Sequence, residues 1–215
     1  MIKRTFVAKM EKRFKKEDMA SGMKMPELRY PGYFAMGAPL LFGILWLMSA
    51  VIDGEWEFGV KSLSDLGISH DALSAFLFNF GCIMMGSSGV FIGIGCFAYG
   101  RSTMRIGGIT YAIGLFFLIW VGVFTLPQTM HFVVATTFGI VGGIATVICS
   151  ISDRNNPVYI CLDIILIVIS IIAVATQPFE MWEPITTICS MIWTFVLGIK
   201  MVGHDGDLFN ETPKI

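Results

Sequence analysis

The sequence predicts an all-α integral membrane bundle of six transmembrane helices. Three observations carry this. The chain of 215 residues is 55% hydrophobic and 14% charged, where a soluble domain would be about a quarter charged. Six apolar runs, at roughly 33–52, 72–99, 106–125, 130–151, 158–176 and 184–202, each reach the ~20 residues that a helix needs to cross the hydrocarbon core. The breaks between them hold proline, glycine or charge, and the basic residues gather on alternate breaks.

Residues 1–31 form a basic segment with nine Lys and Arg between Lys3 and Arg29. Within it Ile2, Phe6, Met10 and Phe14 recur every four residues, the pattern of an amphipathic helix lying on an anionic membrane surface; a disordered basic tail that only sets topology is the alternative. About thirty mostly polar residues precede the first apolar run, so no cleavable leader is expected. Residues 32–202 are the six-helix membrane domain, and 203–215 are a polar tail in which His204 reads as a solvated residue.

Arg101, Arg105 and Arg154 fall in the second and fourth connections, and Lys200 and Lys214 lie at the end. Fourteen of the fifteen basic residues therefore lie on one side, with Lys61 alone on the other. The positive-inside rule then predicts both termini in the cytoplasm. The opposite connections are acidic, with Asp53, Glu55, Glu57, Asp65, Asp71, Glu180 and Glu183. That rim could bind cations or headgroups, or could simply be what the exclusion of Lys and Arg leaves behind.

Helices in lipid associate through small residues that allow close approach. In the second run Ala75, Asn79, Cys82, Gly86, Gly89, Gly93, Cys96 and Gly100 alternate spacings of four and three, a seam of period 3.5 on one face. The fourth run has a related face in His131, Ala135, Gly139, Gly142, Ala145 and Cys149. The second span is expected to be central and to pack on the fourth. Cys82, Cys96, Cys149, Cys161 and Cys189 sit inside apolar runs without CxxC spacing, so neither a disulfide framework nor a zinc site is expected. Ser69 reads as the N-cap of the second span, with Asp71 in its first turn.

The stretches "SLSDLGISHDALSAFLFNFG" and "GVFTLPQTMHFVVATTFGIVGG" resemble a prokaryotic family known as domain of unknown function 998. Its members show a serine-rich Ser-(Asp or Glu)-Leu-Gly opening, matched by Ser64, Asp65, Leu66 and Gly67. They have an Asn-x-Gly in the next helix, matched by Asn79 and Gly81, and a histidine opening the fourth span, matched by His131. A Gly-x-Phe-Pro-like end to the third span is matched by Gly122, Phe124 and Pro127, with the proline arriving late. The family is similar in turn to the damage-regulated autophagy modulator superfamily. That resemblance implies six helices and a link to membrane lipids; it implies no reaction.

Ser64, Asp65, His70, Asp71, Asn79, His131 and Glu183 are the candidate polar site, all placed near the outer interface by the expected topology. Asn79 would lie about 10 Å below the mouth at ~1.5 Å per residue. The favoured reading is a non-catalytic, lipid-interacting protein of a prokaryotic cytoplasmic membrane. In it Asn79 and His131 donate to a headgroup, with Trp56, Phe179 and Trp182 as interface anchors. One alternative is an intramembrane lipid hydrolase or transferase with His131 as base. The other is a small-solute transporter, for which Asp163 is the intramembrane acid, unless it pairs with Lys200, Arg154 or Arg105. No Walker, Rossmann or nucleic-acid signature is visible. Membrane lipids are thus the expected partners, and no nucleic acid, metal or cofactor is expected.

Overall fold

A computed structural model describes residues 29–100, 103–152 and 156–203. The basic N-terminal stripe, Arg101, Arg154 and His204 lie outside the described residues. Among those described there are seven helices and no strand. They are α1 (Arg29–Asp53), a four-residue α2 (Leu63–Leu66), α3 (Ala72–Tyr99), α4 (Thr103–Val121), α5 (Thr129–Ile151), α6 (Pro157–Thr176) and α7 (Phe179–Gly203). All except α2 are long and apolar enough to cross a membrane, so the chain is a multi-pass, all-α bundle.

Two boundaries differ from the sequence expectation. The third span stops at Val121 rather than 125, because the chain turns at Gly122 and is led out of helical geometry ahead of Pro127, whose ring disfavours helix in the residue before it. The sixth begins at Phe179 rather than 184. Pro184 lies inside its early turns instead of marking its start, which places Glu183 on the helix rather than in the loop.

Side-chain packing follows a path through the bundle: α5 on α4, α4 on α3, α3 on α1, α1 on α7 and α7 on α6, with α5 and α6 touching only sparsely. The expected pairing of the second span with the fourth is therefore corrected: the seam of α3 packs on α4. A Cβ on Gly86 would lie 2.7 Å from the Ile119 backbone nitrogen, and one on Gly93 would lie 2.5 Å from the Gly108 oxygen. Gly89 faces Leu115 with less than contact spacing. On α5 the outcome is split. Gly139 faces open space, whereas Gly142 offers its backbone to Gly114 of α4, whose Cβ would come within 2.9 Å of it. The physical reason lies in α4. Its adjacent Gly107 and Gly108 open opposite flanks, one against Cys149 of α5 and the other against Cys96 of α3, so α4 stands between the two helices expected to meet.

The helix ends alternate as the sequence requires. Asp53, Asp65, Glu183 and His131 lie at one end of the bundle. The other end gathers the start of α1, where Pro31 meets Gly95 of α3, and the end of α7, where Gly198 meets the Gly32 oxygen. There Lys200 Nζ lies 3.6 Å from Asp163 Oδ2, both side chains being fully buried, and 4.5 Å from the Tyr159 ring centroid. Asp163 thus takes the structural pairing foreseen with Lys200. In the core, Tyr111 Oη and Thr194 Oγ1 share a hydrogen bond of 2.9 Å, which satisfies two hydroxyls that would be costly to bury alone.

Candidate functional site

At the acidic end, the connection between α1 and α3 folds over the bundle as a cap centred on α2. Ser62 and Asp65 close a capping box. Ser62 N and Ser62 Oγ each donate to Asp65 Oδ2 at 2.8 Å, and Asp65 N donates back to Ser62 Oγ at 3.2 Å. Two backbone donors left over at the helix start find their acceptor across the bundle. Glu183 of α7 accepts from Leu63 N at 2.7 Å and Ser64 N at 3.4 Å on one oxygen, and from Ser64 Oγ at 2.7 Å on the other. A carboxylate at the start of a helix meets its unpaired N–H groups, the favourable end of the backbone dipoles.

Behind α2 the cap is held by Asn79, whose Nδ2 donates to the Gly67 oxygen at 2.9 Å. Gly67 has no room for a side chain: a Cβ there would lie 2.7 Å from Asn79 Oδ1. Its φ of −66° is ordinary, so close approach, rather than backbone freedom, calls for glycine. On the other flank of Asn79, a Cβ on Gly122 would lie 2.5 Å from the Asn79 carbonyl oxygen. Two residues on, the Phe124 oxygen accepts from His131 Nδ1 at 2.7 Å. A carbonyl only accepts, so Nδ1 carries the proton. His131 is buried. No serine or carboxylate among the described residues is hydrogen-bonded to its ring. Gln128, at the N-cap of α5, makes no side-chain cap bond.

The α3 cap differs from the sequence expectation. Asp71, not Ser69, is the N-cap: its Oδ1 accepts from Leu73 N at 2.9 Å and Ser74 N at 3.1 Å. Ser69 Oγ instead donates to Asp53 Oδ1 at 2.5 Å and accepts from Asp71 N at 3.2 Å. The reason is spacing. The cap oxygen must reach the second and third amides of the helix, and α3 starts at Ala72.

The seven candidates therefore separate. Ser64, Glu183, Asn79, Asp71 and His131 are engaged in bonds that tie cap to bundle or start a helix. Asp65, which also closes the capping box, and His70 reach a cleft of about 320 Å3 at the rim, together with Asp53, Lys61, Trp56 and Ile68. Trp56 is a fixed wall of this cleft: its Nε1 donates to the Ser62 oxygen at 2.8 Å, and its ring meets Trp46 edge-on at 5.9 Å. Lys61 Nζ lies 3.3 Å from Glu55 Oε2 on the exposed side. Among the described residues no group of three or more His, Cys, Asp or Glu is placed to hold a metal. In the sequence Asp53 belongs to the acidic rim, Lys61 is the lone basic residue of that side and Trp56 is an expected interface anchor. Their clustering in "DGEWEFGVK" was the available sign of a site.

The family model described as "Protein of unknown function (DUF998)" matches residues 36–200. No curated protein and no solved structure matches the chain. The chain belongs to that family.

Proposed function

We propose that this member of the family is a non-catalytic, lipid-interacting protein of a prokaryotic cytoplasmic membrane, with both termini cytoplasmic and the rim cleft holding a zwitterionic phospholipid headgroup. The observation that supports it most is the mixed charge of the cleft. Asp53 and Asp65 suit an ammonium group, which the face of Trp56 also attracts. Lys61 and His70 suit the neighbouring phosphate. Ile68 and the tryptophan wall match the half-apolar level at which such headgroups sit. Ser64, a hydroxyl that a hydrolytic reaction would call on, donates to Glu183 and stands in the cap. Asp163, the acid a transport path would use, is paired with Lys200.

The test is native mass spectrometry of the full chain released from bilayers of phosphatidylethanolamine and phosphatidylglycerol. Phosphatidylethanolamine is expected to be retained preferentially, with a loss of about fivefold in Lys61→Ala, as a cation near a phosphate is worth about 1 kcal/mol, and a further loss in the double variant Lys61→Ala, His70→Ala. Retention indifferent to headgroup and to both substitutions would sink the reading. Orientation is checked separately. A cysteine placed at Lys61 is expected to react with an impermeant maleimide on intact cells, while one at Gly203, exposed at the other end of the bundle, is not; the reverse labelling would overturn the topology.

A further inference from the structure

A second feature lies at the opposite end of the bundle, on the lipid-facing side of the α3–α4 pair. There Val90, Ile94 and Phe97 of α3 and Ile109, Ile113 and Phe116 of α4 enclose a wholly apolar groove of about 270 Å3. Its floor is the close contact of Gly93 with Ala112, where a Cβ on the glycine would lie 2.7 Å from the alanine nitrogen. Small residues at the contact and large ones beside it leave a trough, open to the membrane.

The trough has a cation at one end. Arg105 precedes Ile109 by four residues and so continues the same stripe of α4. Its Nε donates to the Phe97 oxygen at 3.1 Å, and its guanidinium lies 5.1 Å from the Phe97 ring centroid. These two contacts fix the guanidinium at the groove end and leave its terminal nitrogens for an oxyanion. From Arg105 to Phe116 the helix rises about 16 Å at 1.5 Å per residue, close to one leaflet of a hydrocarbon core ~30 Å thick. The sequence from residue 72 to 152 contains no Asp or Glu, so α3, α4 and α5 offer no carboxylate to neutralise the arginine or to attract an ammonium.

We propose that this groove seats one acyl chain of an anionic phospholipid whose phosphate pairs with Arg105. The guanidinium presents planar donors matched to a phosphate, and the trough takes the chain hanging from it. This site differs from the rim cleft in its end of the bundle, its lining and the charge it selects, and neither depends on the other.

The test uses the full chain in nanodiscs of phosphatidylglycerol and phosphatidylcholine in equal parts, followed by native mass spectrometry. With the rim cleft emptied by Lys61→Ala and His70→Ala, phosphatidylglycerol is expected to be retained over phosphatidylcholine. Arg105→Gln should lower that retention about fivefold, and Arg105→Lys should keep most of it. Ile94→Trp fills the trough from its lipid-facing wall without touching Arg105, and should lower retention of both lipids at this site. Melting temperatures within a few degrees of the unsubstituted chain show that each variant is folded; should Arg105→Gln fail that check, Arg105→Lys and Ile94→Trp carry the test. Equal retention of the two lipids with the rim cleft so emptied overturns the proposal. Undiminished phosphatidylglycerol in Arg105→Gln or in Ile94→Trp overturns it as well.

Discussion

Glu183→Ala is expected to release the rim cap and to lower stability by about 3 kcal/mol or more, since a hydrogen bond to a charged group contributes ~1.5–3 kcal/mol and donors left without an acceptor add to the loss. One side chain on α7 accepts from Leu63 N, Ser64 N and Ser64 Oγ. Its removal leaves the start of α2 without a partner and cuts the link between residues 120 positions apart. Glu183→Gln keeps one acceptor oxygen but turns an amide NH2 towards at least one of the donors, so it should fall between the alanine variant and the unsubstituted chain. Asn79→Ala removes a single amide–carbonyl bond and is expected to cost about 1 kcal/mol. Thermal unfolding in detergent gives the order Glu183→Ala, then Glu183→Gln, then Asn79→Ala, and amide exchange at Leu63 and Ser64 should accelerate most in the first. Unchanged exchange at those two amides in Glu183→Ala would mean that the carboxylate does not hold the cap.

The matched family residues acquire a common physical account from this arrangement. Ser64 binds Glu183, and Asp65 closes the box on Ser62. Leu66 is fully buried, and Gly67 lets Asn79 approach. Gly81 faces the Phe42 ring, 3.1 Å from where its Cβ would be. Gly122 backs Asn79, and His131 closes on Phe124. These contacts run from α7 through the cap and α3 to the start of α5. A signature that builds one continuous tie across a membrane protein's rim is a constraint on architecture. The residues beside it, Asp53, Trp56, Lys61 and His70, line the rim cleft.

The six spans were legible because each hydrophobic run is long, and lipid demands such length whatever the neighbours are. Asp163 with Lys200 was legible as one of three pairings, since a buried acid in a span needs a cation at its own end. The helix order was not legible. The glycine seam of α3 announces a close neighbour but says nothing of which one, and α4 carries its own small residues at Gly107, Gly108 and Gly114 on two different flanks. Glu183 was read as part of an acidic rim because Pro184 looked like a helix start; a proline in an early turn is compatible with helix, and the carboxylate's partners lie far away in sequence. Ser69 looked like a cap by residue type, but Asp71 sits two residues closer to the helix and reaches the right amides. In each of these cases the missing information was three-dimensional adjacency, which periodicity in one helix cannot supply.

Adjacency is also what separates two identical substitutions. Gly93→Ala and Gly139→Ala make the same chemical change inside transmembrane helices, and each gains the same helix propensity, about 1 kcal/mol. At Gly93 the new methyl would lie 2.5 Å from the Gly108 oxygen and 2.7 Å from the Ala112 nitrogen. Both are backbone atoms, so no rotamer change can relieve the contact and the whole of α4 must move away. Lipid supplies no hydrophobic force to hold the helices together once that packing is lost. Overpacking of this kind costs ~1–3 kcal/mol, enough to reverse the gain, and Gly93→Leu should prevent the α3–α4 hairpin from closing at all. At Gly139 nothing lies within 4 Å of the added atom, so alanine there should be neutral or mildly stabilising. Melting temperatures in one detergent decide the matter: opposite signs for the two alanine variants are expected. Equal effects would show that α3 does not meet α4 through its glycine face, and the groove beside that contact, with Arg105 at its end, would lose its floor.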